Sequence, residues 1–509
     1  MTCALARAGL HRGDPACAVT CGETTRRDQT FPDVLQRGSG TRWQTGPVHF
    51  RGAVLLVGLL TGVLLPAVVP ASLADPTHRR TDSVSARLYP PVVTTGEPSV
   101  IAGRITPVDA GVDIQLQQEQ ENGTWQTITV TRTDGRGAYG LSLDTSSPGG
   151  TSYRVSTTGA TSKQRVLRVE ANTACRPRTQ PVDPQATGEA ICLLTRIDRW
   201  RAAGLMGVGQ QLNISSLAET AFEPLAELDD PVAVVGFDLE ELAKTGEYQY
   251  PFLDEQLDHL LTLADQGAVL TASWHATNPG TGGDYTDRSW RTLEALLKPR
   301  TAAARAFWAD FDEKLELLRR FEDGDGGRHG RTAVVFRPLH EANGGFFWWG
   351  KPDPKVYRTL WKRMQERAAA AGVHNIVWAY AANRWTAGVK DPRPLVPAEV
   401  DLGGLDSYDP ERGRTNLKDR LWLEGYPRVT PVPRMALTEV GPHGSATGAW
   451  DPTVITRTVR KAGIRPAWAM LWFDDGNGRD GITGKKQIGS LSGGRAWLRT
   501  CPNGLCAID

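Results

Sequence analysis

The stretch TAVVFRPLHEANGGFFWW, residues 332–349, decides how this chain folds. It opens as an apolar, partly β-branched run, Thr332–His340, and turns polar at Glu341. A segment with apolar residues every three or four positions precedes it (Ala302–Phe321), and another follows it (Pro354–Ala371). A buried strand between two amphipathic helices is the repeating unit of a parallel α/β fold. Working outward, the same unit recurs. Apolar runs at Leu205–Leu212, Val232–Asp238, Ala268–His275, Asn375–Tyr380, Val400–Asp406, Arg434–Glu439 and Ala467–Phe473 complete a set of eight. Further helical periods lie at Phe252–Gln266 and Thr453–Ala462. Eight such units over roughly 300 residues predict a (β/α)8 TIM barrel, here spanning 191–509.

Upstream the texture differs. Short runs at Ser99–Ile105, Val112–Gln118, Trp125–Thr131, Gly137–Leu143 and Tyr153–Thr157 are separated by turn residues such as Asn122-Gly123 and Asp134-Gly135. Strands at this spacing without a helical period predict a small all-β sandwich over 82–171, resembling immunoglobulin-like or fibronectin-like modules. Trp125 and Tyr139 are expected in its core. Residues 172–190, rich in proline and polar side chains, read as a linker. Residues 1–74 read as a leader. Its apolar core, 53–73, carries no charge and ends at Ser72-Leu73-Ala74, small residues that suit signal cleavage better than a membrane anchor. The 47 residues before Val48 are polar, Arg-rich and long for a signal n-region. The expected product is a secreted protein with no membrane contact after cleavage.

Lys and Arg number 58 and Asp and Glu 57, so the formal charge is +1. Such a balance offers no electrostatic reason to bind nucleic acid. Downstream of Ala74 four cysteines remain: Cys175, Cys192, Cys501 and Cys506. Four allow three pairings. The tight Cys501–Cys506 spacing looks like a turn closed by its own bridge, which leaves Cys175 to pair with Cys192. No pair has zinc spacing. His340-Glu341 is not a zinc-protease motif either, because Gly344 stands where the second His would be. The chain is expected to work as a monomer with no cofactor or metal.

Sites in such barrels lie at the carboxyl ends of the strands. There the sequence places Trp274-His275, His340-Glu341-Ala342-Asn343, Asp406-Ser407-Tyr408, Thr438-Glu439 and Trp472. Glu341 on the fourth strand and Glu439 on the seventh come from opposite sides of the barrel toward one axis. A pair of carboxyl groups, one protonated and one ionised, is what cleavage of a glycosidic bond requires. Trp274, Phe346, Phe347, Trp348, Trp349 and Trp472 would supply apolar walls for sugar rings. Alternation puts Arg337, Leu339 and Glu341 on one strand face. From there Arg337 could reach Glu439, or could be only a buried ion-pair residue of the barrel. Asp401 and Asp406 could equally be structural. Trp361, Trp378 and Trp422 are expected to pack.

These residues also carry a resemblance. Arg337 to Trp349, Trp274-His275 with Asn278-Pro279, Val400-Asp401 with Gly404-Leu405-Asp406 and Tyr408, and Thr438-Glu439-Val440-Gly441 resemble the signature of glycoside hydrolase family 26, best known for β-mannanases, and Pro231 to Asp238, ending Gly236-Phe237-Asp238, resembles that family's second strand. The match spans roughly 195–500. It implies a retaining, endo-acting hydrolase with Glu341 as acid/base and Glu439 as nucleophile. His340 would contact the sugar or the nucleophile, Tyr408 would hydrogen-bond the nucleophile, and Trp274 and His275 would line the sugar subsites. Asn343, Asp406, Arg337, Phe346, Trp349 and Trp472 complete the expected site. The implied partner is a polysaccharide or oligosaccharide, mannan first. Mixed-linkage β-glucan, β-1,3-xylan, or a non-catalytic sugar-binding role are the alternatives. Phe346 departs from the family's usual Trp, as does the segment before Val400 from its usual Tyr-Tyr-Pro-Gly, which bears on the choice of sugar.

Overall fold

The computed structural model describes residues 81–509 other than 82, 98, 121, 172–174, 216–217, 246–251, 410–419, 430–431, 444 and 478–481. The expected leader lies outside the described residues. Among the described residues, no helix is long and apolar enough to cross a membrane.

Residues 83–170 form two packed β-sheets. One contains Ser83–Val84, Val100–Thr106, Arg87–Tyr89 and Ala138–Ser142; the other orders Val92–Thr94, Arg165–Glu170, Gly149–Thr157, Asp113–Glu119 and Trp125–Arg132, with Ala160–Thr161 beside Gly149–Thr157. Alternate residues turn inward, and Ile101, Ile114, Leu116, Tyr153, Val155 and Leu167 make the core. Tyr139 is buried there as expected and donates its hydroxyl to the Ser85 carbonyl. Trp125 is not. It is half-buried at the edge, under the Arg154 guanidinium at 4.3 Å. Its partner across the ladder is Glu119, the polar end of a strand whose apolar residues lie further along.

The barrel strands are β1 (Leu205–Gln211), β2 (Val234–Asp238), β3 (Val269–Trp274), β4 (Val334–Pro338), β5 (Ile376–Asn383), β6 (Leu402–Asp409), β7 (Met435–Pro442) and β8 (Trp468–Leu471). All eight pair in parallel in sequence order, and β1 closes the ring by pairing with both β8 and β2. Leu505–Ala507 adds an antiparallel strand beside β1. The outer layer includes α1 (Gly188–Ala202), α2 (Leu253–Asp265), α3 (Ala302–Glu322), α4 (Pro354–Ala370) and α5 (Thr453–Ala462). Side-chain oxygens of Thr187, Thr301 and Asp353 cap α1, α3 and α4 by accepting first-turn N–H groups. Trp361 and Trp378 pack as expected, buried with ring centroids 6.0 Å apart.

Three boundaries differ from the sequence reading. The segment read as linker over 172–190 gives way to α1 at Gly188, because Thr187 caps it there. That segment is also bonded to the barrel: Val182 N–H donates to Asp401 Oδ1 at 2.8 Å, and His374 Nδ1 lies 2.7 Å from Asp183 Oδ2. Strand β5 runs on to Asn383, past the predicted end at Tyr380. Strand β4 stops at Pro338, and Leu339 and Glu341 then take left-handed φ of 48° and 53°. Leu339 therefore turns into the apolar core, and the shared strand face predicted for Arg337, Leu339 and Glu341 does not extend past Arg337.

Both predicted disulfides are formed, Cys175–Cys192 and Cys501–Cys506. The first ties the start of α1 to the sandwich exit. Nearby, Arg199 on α1 pairs with Glu97 at 3.3 Å and Glu170 at 2.8 Å of the sandwich.

Candidate active site

Register fixes the first layer of the site. Asn383, Asp406 and Glu439 are Cα partners across β5, β6 and β7, so they stand at one level of the barrel mouth. Strand β7 carries one extra residue between Ala436 and Glu439 relative to β6. Such a bulge re-aims side chains. Here it lets the consecutive residues Thr438 and Glu439 both reach inward: Thr438 Oγ1 donates to Asp406 Oδ1 at 2.6 Å, and Glu439 faces Arg337.

Glu439 is held from two sides. Arg337 Nη2 donates to its Oε1 at 2.9 Å, and the Tyr408 hydroxyl donates to its Oε2 at 2.9 Å. Burial disfavours the Arg337 charge, but Glu439 and then Asp406 outweigh this and raise its pKa. The Tyr408 hydroxyl is pushed well up by burial and by the Glu439 charge, so it keeps its proton and remains a donor. Asp406 has Oδ1 3.5 Å from Arg337 Nη1. Burial first, then the Glu439 charge, raise its pKa well above the carboxylate range.

Glu341 sits in the opposite setting. Its Oε1 accepts from Asn383 Nδ2 at 2.7 Å. Burial, reinforced by the nearby Glu439 charge, pushes its pKa up to about 8. One oxygen each of Glu341, Asp406 and Glu439 lies within 4.8 Å of the others. Three carboxylates so close could hold a cation, but the Arg337 guanidinium already stands among them as the counter-charge. Two buried carboxyl groups side by side, one inclined to be neutral and one paired with a cation, have the settings that a proton donor and an anionic nucleophile need.

The histidines form a second couple. Asp238 ends β2 and accepts from Ser273 Oγ at 2.8 Å, from the His275 backbone N–H at 3.0 Å, and lies 2.9 Å from His275 Nδ1. Burial opposes the Asp238 charge, yet His275 and the hydrogen bonds from Ser273 and the Glu241 backbone bring its pKa down to about 2. Burial likewise opposes the His275 charge, and Asp238 outweighs it and raises that pKa. His340 is driven well below its usual value by burial, aided by the cations His275 and Arg337. It is thus neutral, with Nε2 3.9 Å from Glu439 Oε1. The site combines two matched charge pairs, Arg337–Glu439 and His275–Asp238, with a neutral His340.

Aromatic rings wall the mouth. Tyr285 lies 4.5 Å from His275, Phe347 5.6 Å, and Trp472 6.2 Å, centroid to centroid. Phe346 is 47 % exposed at the rim. Trp274 and Trp349 are not on this wall. Trp274 is fully buried against Phe307 and Phe311 of α3, because it alternates with the inward Ser273 and therefore points out of the barrel. Trp349 is fully buried behind Phe347, 4.6 Å away, and donates Nε1–H to the His340 carbonyl. Asn343 is a loop pin: its Nδ2 donates to the Asn383 and Lys390 carbonyls, and its Oδ1 accepts from the Asn383 N–H.

Sequence reasoning left Asp238, Asn383 and Tyr285 out of the site. Asp238 stands at a strand end like the residues that were chosen. A buried ion network behind it was also missed. Thr277 Oγ1 donates to Glu240 Oε1, and Glu240 pairs with the buried Lys314 at 3.1 Å. A lysine in the apolar stripe Phe307, Phe311, Lys314, Leu318 was the available signal. A cavity of about 810 Å³ lies at the other end of the strands, between sandwich and barrel, and brings no such charge-matched carboxyl pair together.

The barrel part of the chain is similar to known proteins. The sequence profile of glycosyl hydrolase family 26 matches residues 182–490. The mannan endo-1,4-beta-mannosidase of Bifidobacterium adolescentis is 32% identical over 245 residues, which is 43% of this chain and 24% of that protein. The mannan endo-1,4-beta-mannosidase A and B of Caldalkalibacillus mannanilyticus is 28% identical over 229 residues, 42% of each. That of Bacillus subtilis strain 168 is 28% identical over 42% of this chain and 59% of its own length. The chain thus spans less than two thirds of the length of these three relatives. A solved modular endo-beta-1,4-mannanase from Cellulomonas fimi is 26% identical, covers 60% of this chain and 72% of that one, and has a TM-score of 0.47.

Proposed function

Because the chain belongs to glycosyl hydrolase family 26, we propose that it is a retaining, endo-acting β-glycosidase that hydrolyses β-1,4-mannosidic bonds in mannan-type polysaccharides. The observation that carries this reading is the closeness of Glu341 and Glu439 in opposite electrostatic settings. One oxygen of each lies within 4.8 Å of the other, closer to the separation of about 5–5.5 Å typical of retaining enzymes than to the about 6.5–9.5 Å that inverting enzymes use to admit a water.

In the first step Glu341 gives its proton to the glycosidic oxygen. The bond from that oxygen to the anomeric carbon breaks as a Glu439 oxygen bonds to the same carbon. Esterification removes the Glu439 charge, one of the two influences that raise the Glu341 pKa. Glu341, now deprotonated, is then a stable anion and takes a proton from water as the water oxygen attacks the anomeric carbon. The carbon–Glu439 bond breaks, and both carboxyls return to their starting states. Tyr408 and Arg337 hold Glu439 in line throughout, and neutral His340 can donate to a sugar hydroxyl without adding charge.

Proton NMR of the first-formed sugar tests the mechanism, with retained β-anomer expected; an α-anomer would overturn it. Screening on mannan, lichenan and β-1,3-xylan tests the substrate, and turnover confined to either of the latter two would overturn mannan. We also propose that the protein acts outside the cell. The two disulfides support this, because cytosolic conditions keep such thiols reduced.

A further inference from the structure

Beyond β8 the chain turns back on itself as a short hairpin, Asp475–Asn477 against Ile482–Gly484. The base of this hairpin is fastened by Asp474. Its Oδ1 accepts from the Lys486 and Gln487 backbone N–H groups at 2.7 and 2.9 Å, and its Oδ2 accepts from Ser490 Oγ at 2.5 Å. The Lys485 N–H adds a bond to the Ser445 carbonyl at 2.8 Å. One charged contact stands apart from that fastening and is not used by the hydrolytic steps: Lys486 Nζ donates to Asp475 Oδ2 at 2.7 Å.

Lys486 belongs to the site by position. Its ammonium lies 5.3 Å from the centroid of the Tyr408 ring, and the Tyr408 hydroxyl donates to Glu439. The Lys486 side chain is 5 % exposed and that of Glu439 6 %, so the two are equally withdrawn from water. Asp475 reaches toward the opposite flank. Burial first, then Asp238, Glu241, Asp284 and Asp475, raise the pKa of Tyr285, whose ring is 4.5 Å from His275. An ammonium has three donors. Among the described residues Asp475 is the only hydrogen-bond partner of the Lys486 ammonium, which leaves two donors unspent beside the nucleophile's tyrosine. Buried donors of a charged group are costly to leave unmet. A sugar ring answers both halves of the pair. Each of its hydroxyls accepts and donates, so one accepts from Lys486 while its neighbour donates to the half-exposed Asp475.

We propose that Lys486 and Asp475 are substrate-binding residues that hold adjacent hydroxyls of a sugar unit on the Glu439 side of the scissile bond. The side follows from Tyr408: the Glu439 it holds bonds to the anomeric carbon, whereas the leaving sugar departs beside Glu341. The proposal rests on the glycosidase reading for the presence of a sugar chain, and on the placement of Lys486 for the contact.

Lys486→Met should raise KM on β-1,4-mannopentaose about tenfold, the usual worth of a hydrogen bond to a charged group, and change kcat by less than about threefold. The same rise is expected on a dinitrophenyl β-mannobioside, which places no sugar beside Glu341. A rise on mannopentaose alone would put the contact on the leaving side and overturn the assignment. In a Tyr408→Phe background the effect of Lys486→Met should persist. If it disappears there, Lys486 acts only by holding Tyr408, and the proposal falls. Should Lys486→Met fail to fold, Asp475→Asn, a change at a half-exposed side chain, must raise KM several-fold. Calorimetric binding of mannopentaose to Glu439→Gln, with and without Lys486→Met, separates the two readings. If wild type cleaves mannopentaose while KM and affinity ignore both substitutions, the contact falls and the glycosidase reading stands. If wild type does not cleave it but Glu439→Gln binds it, and Lys486→Met weakens that binding about tenfold, the reverse holds. Neither cleavage nor binding overturns both.

Discussion

Arg337 Nη2 and Glu439 Oε1 meet at 2.9 Å, with both side chains removed from water. They come from β4 and β7, opposite walls of the barrel, so the pair spans the mouth and fixes the carboxylate from below. A buried pair of this kind adds little to stability as a pair, but removing one partner strands a charge at a cost of about 3–5 kcal/mol. Arg337→Met should therefore unfold at markedly lower urea. Arg337→Met/Glu439→Gln should be more stable than the sum of the single changes predicts. A double-mutant cycle by urea denaturation measures this coupling, and strict additivity would show that the contact is incidental.

Removing either carboxyl should have a distinct chemical consequence. Glu439→Ala cannot form the covalent intermediate and should lose essentially all turnover. Glu341→Ala should lose about 10²–10⁴-fold, the usual worth of general acid–base help. The loss should shrink for a dinitrophenyl glycoside, whose leaving group departs without a proton. Azide should rescue Glu341→Ala with retention and Glu439→Ala with inversion. The anomeric configuration of the glycosyl azide, read by NMR, decides between the assigned roles and their exchange.

The pH profile follows from Glu341. It is protonated below a pKa of about 8, so kcat/KM should fall as pH rises through that value. Asn383 donates to the Glu341 carboxyl and draws its pKa down. In Asn383→Ala the alkaline limb should move to higher pH even as the rate drops. The same raised pKa makes Glu341 a stabilising group at pH below its ordinary value of 4.5, with that contribution lost as pH climbs through about 8. Thermal midpoints across pH 4–9 should decline in the wild type more than in Glu341→Gln. An unmoved limb in Asn383→Ala would mean that another group titrates.

The barrel was legible because strands buried on both faces read as unbroken apolar runs. Both glutamates were legible because they end such runs. What stayed hidden depends on backbone detail. Ala381 and Ala382 lack the bulk that marks a strand, so β5 looked finished at Tyr380 and Asn383 was passed over. The left-handed turns at Leu339 and Glu341 leave no mark in residue type, since neither is glycine. The bulge that turns both Thr438 and Glu439 inward is equally invisible to an alternation rule. Asp238 was visible at its strand end, but its importance emerges only when His275 is seen beside it.

The disulfide Cys175–Cys192 closes a separation of 17 residues where the sandwich hands over to α1. A loop of that size corresponds to about 3 kcal/mol of lost unfolded-state freedom. Cys175→Ser/Cys192→Ser should melt several degrees lower, whereas activity at room temperature should persist, because Glu341 and Glu439 lie at the other end of the strands. An unchanged melting midpoint would show that this junction unfolds independently of the barrel.

Trp274 decides between reading an aromatic as a sugar platform and reading it as core. Ser273 and Trp274 are neighbours on β3 and so face opposite ways. Ser273 reaches Asp238 inside the barrel, while Trp274 lies against Phe307 and Phe311 outside it. A platform residue changed to Ala would raise KM and leave the fold alone. A core residue of this size changed to Ala costs about 3–5 kcal/mol through lost contacts and the cavity left behind. Trp274→Ala should therefore lower the urea midpoint sharply. Trp274→Phe should recover much of that stability, with KM near the wild-type value. Phe346→Ala, at the exposed rim, should do the opposite, raising KM with little change in stability. A Trp274→Ala protein as stable as wild type but with a raised KM would return that ring to the substrate wall.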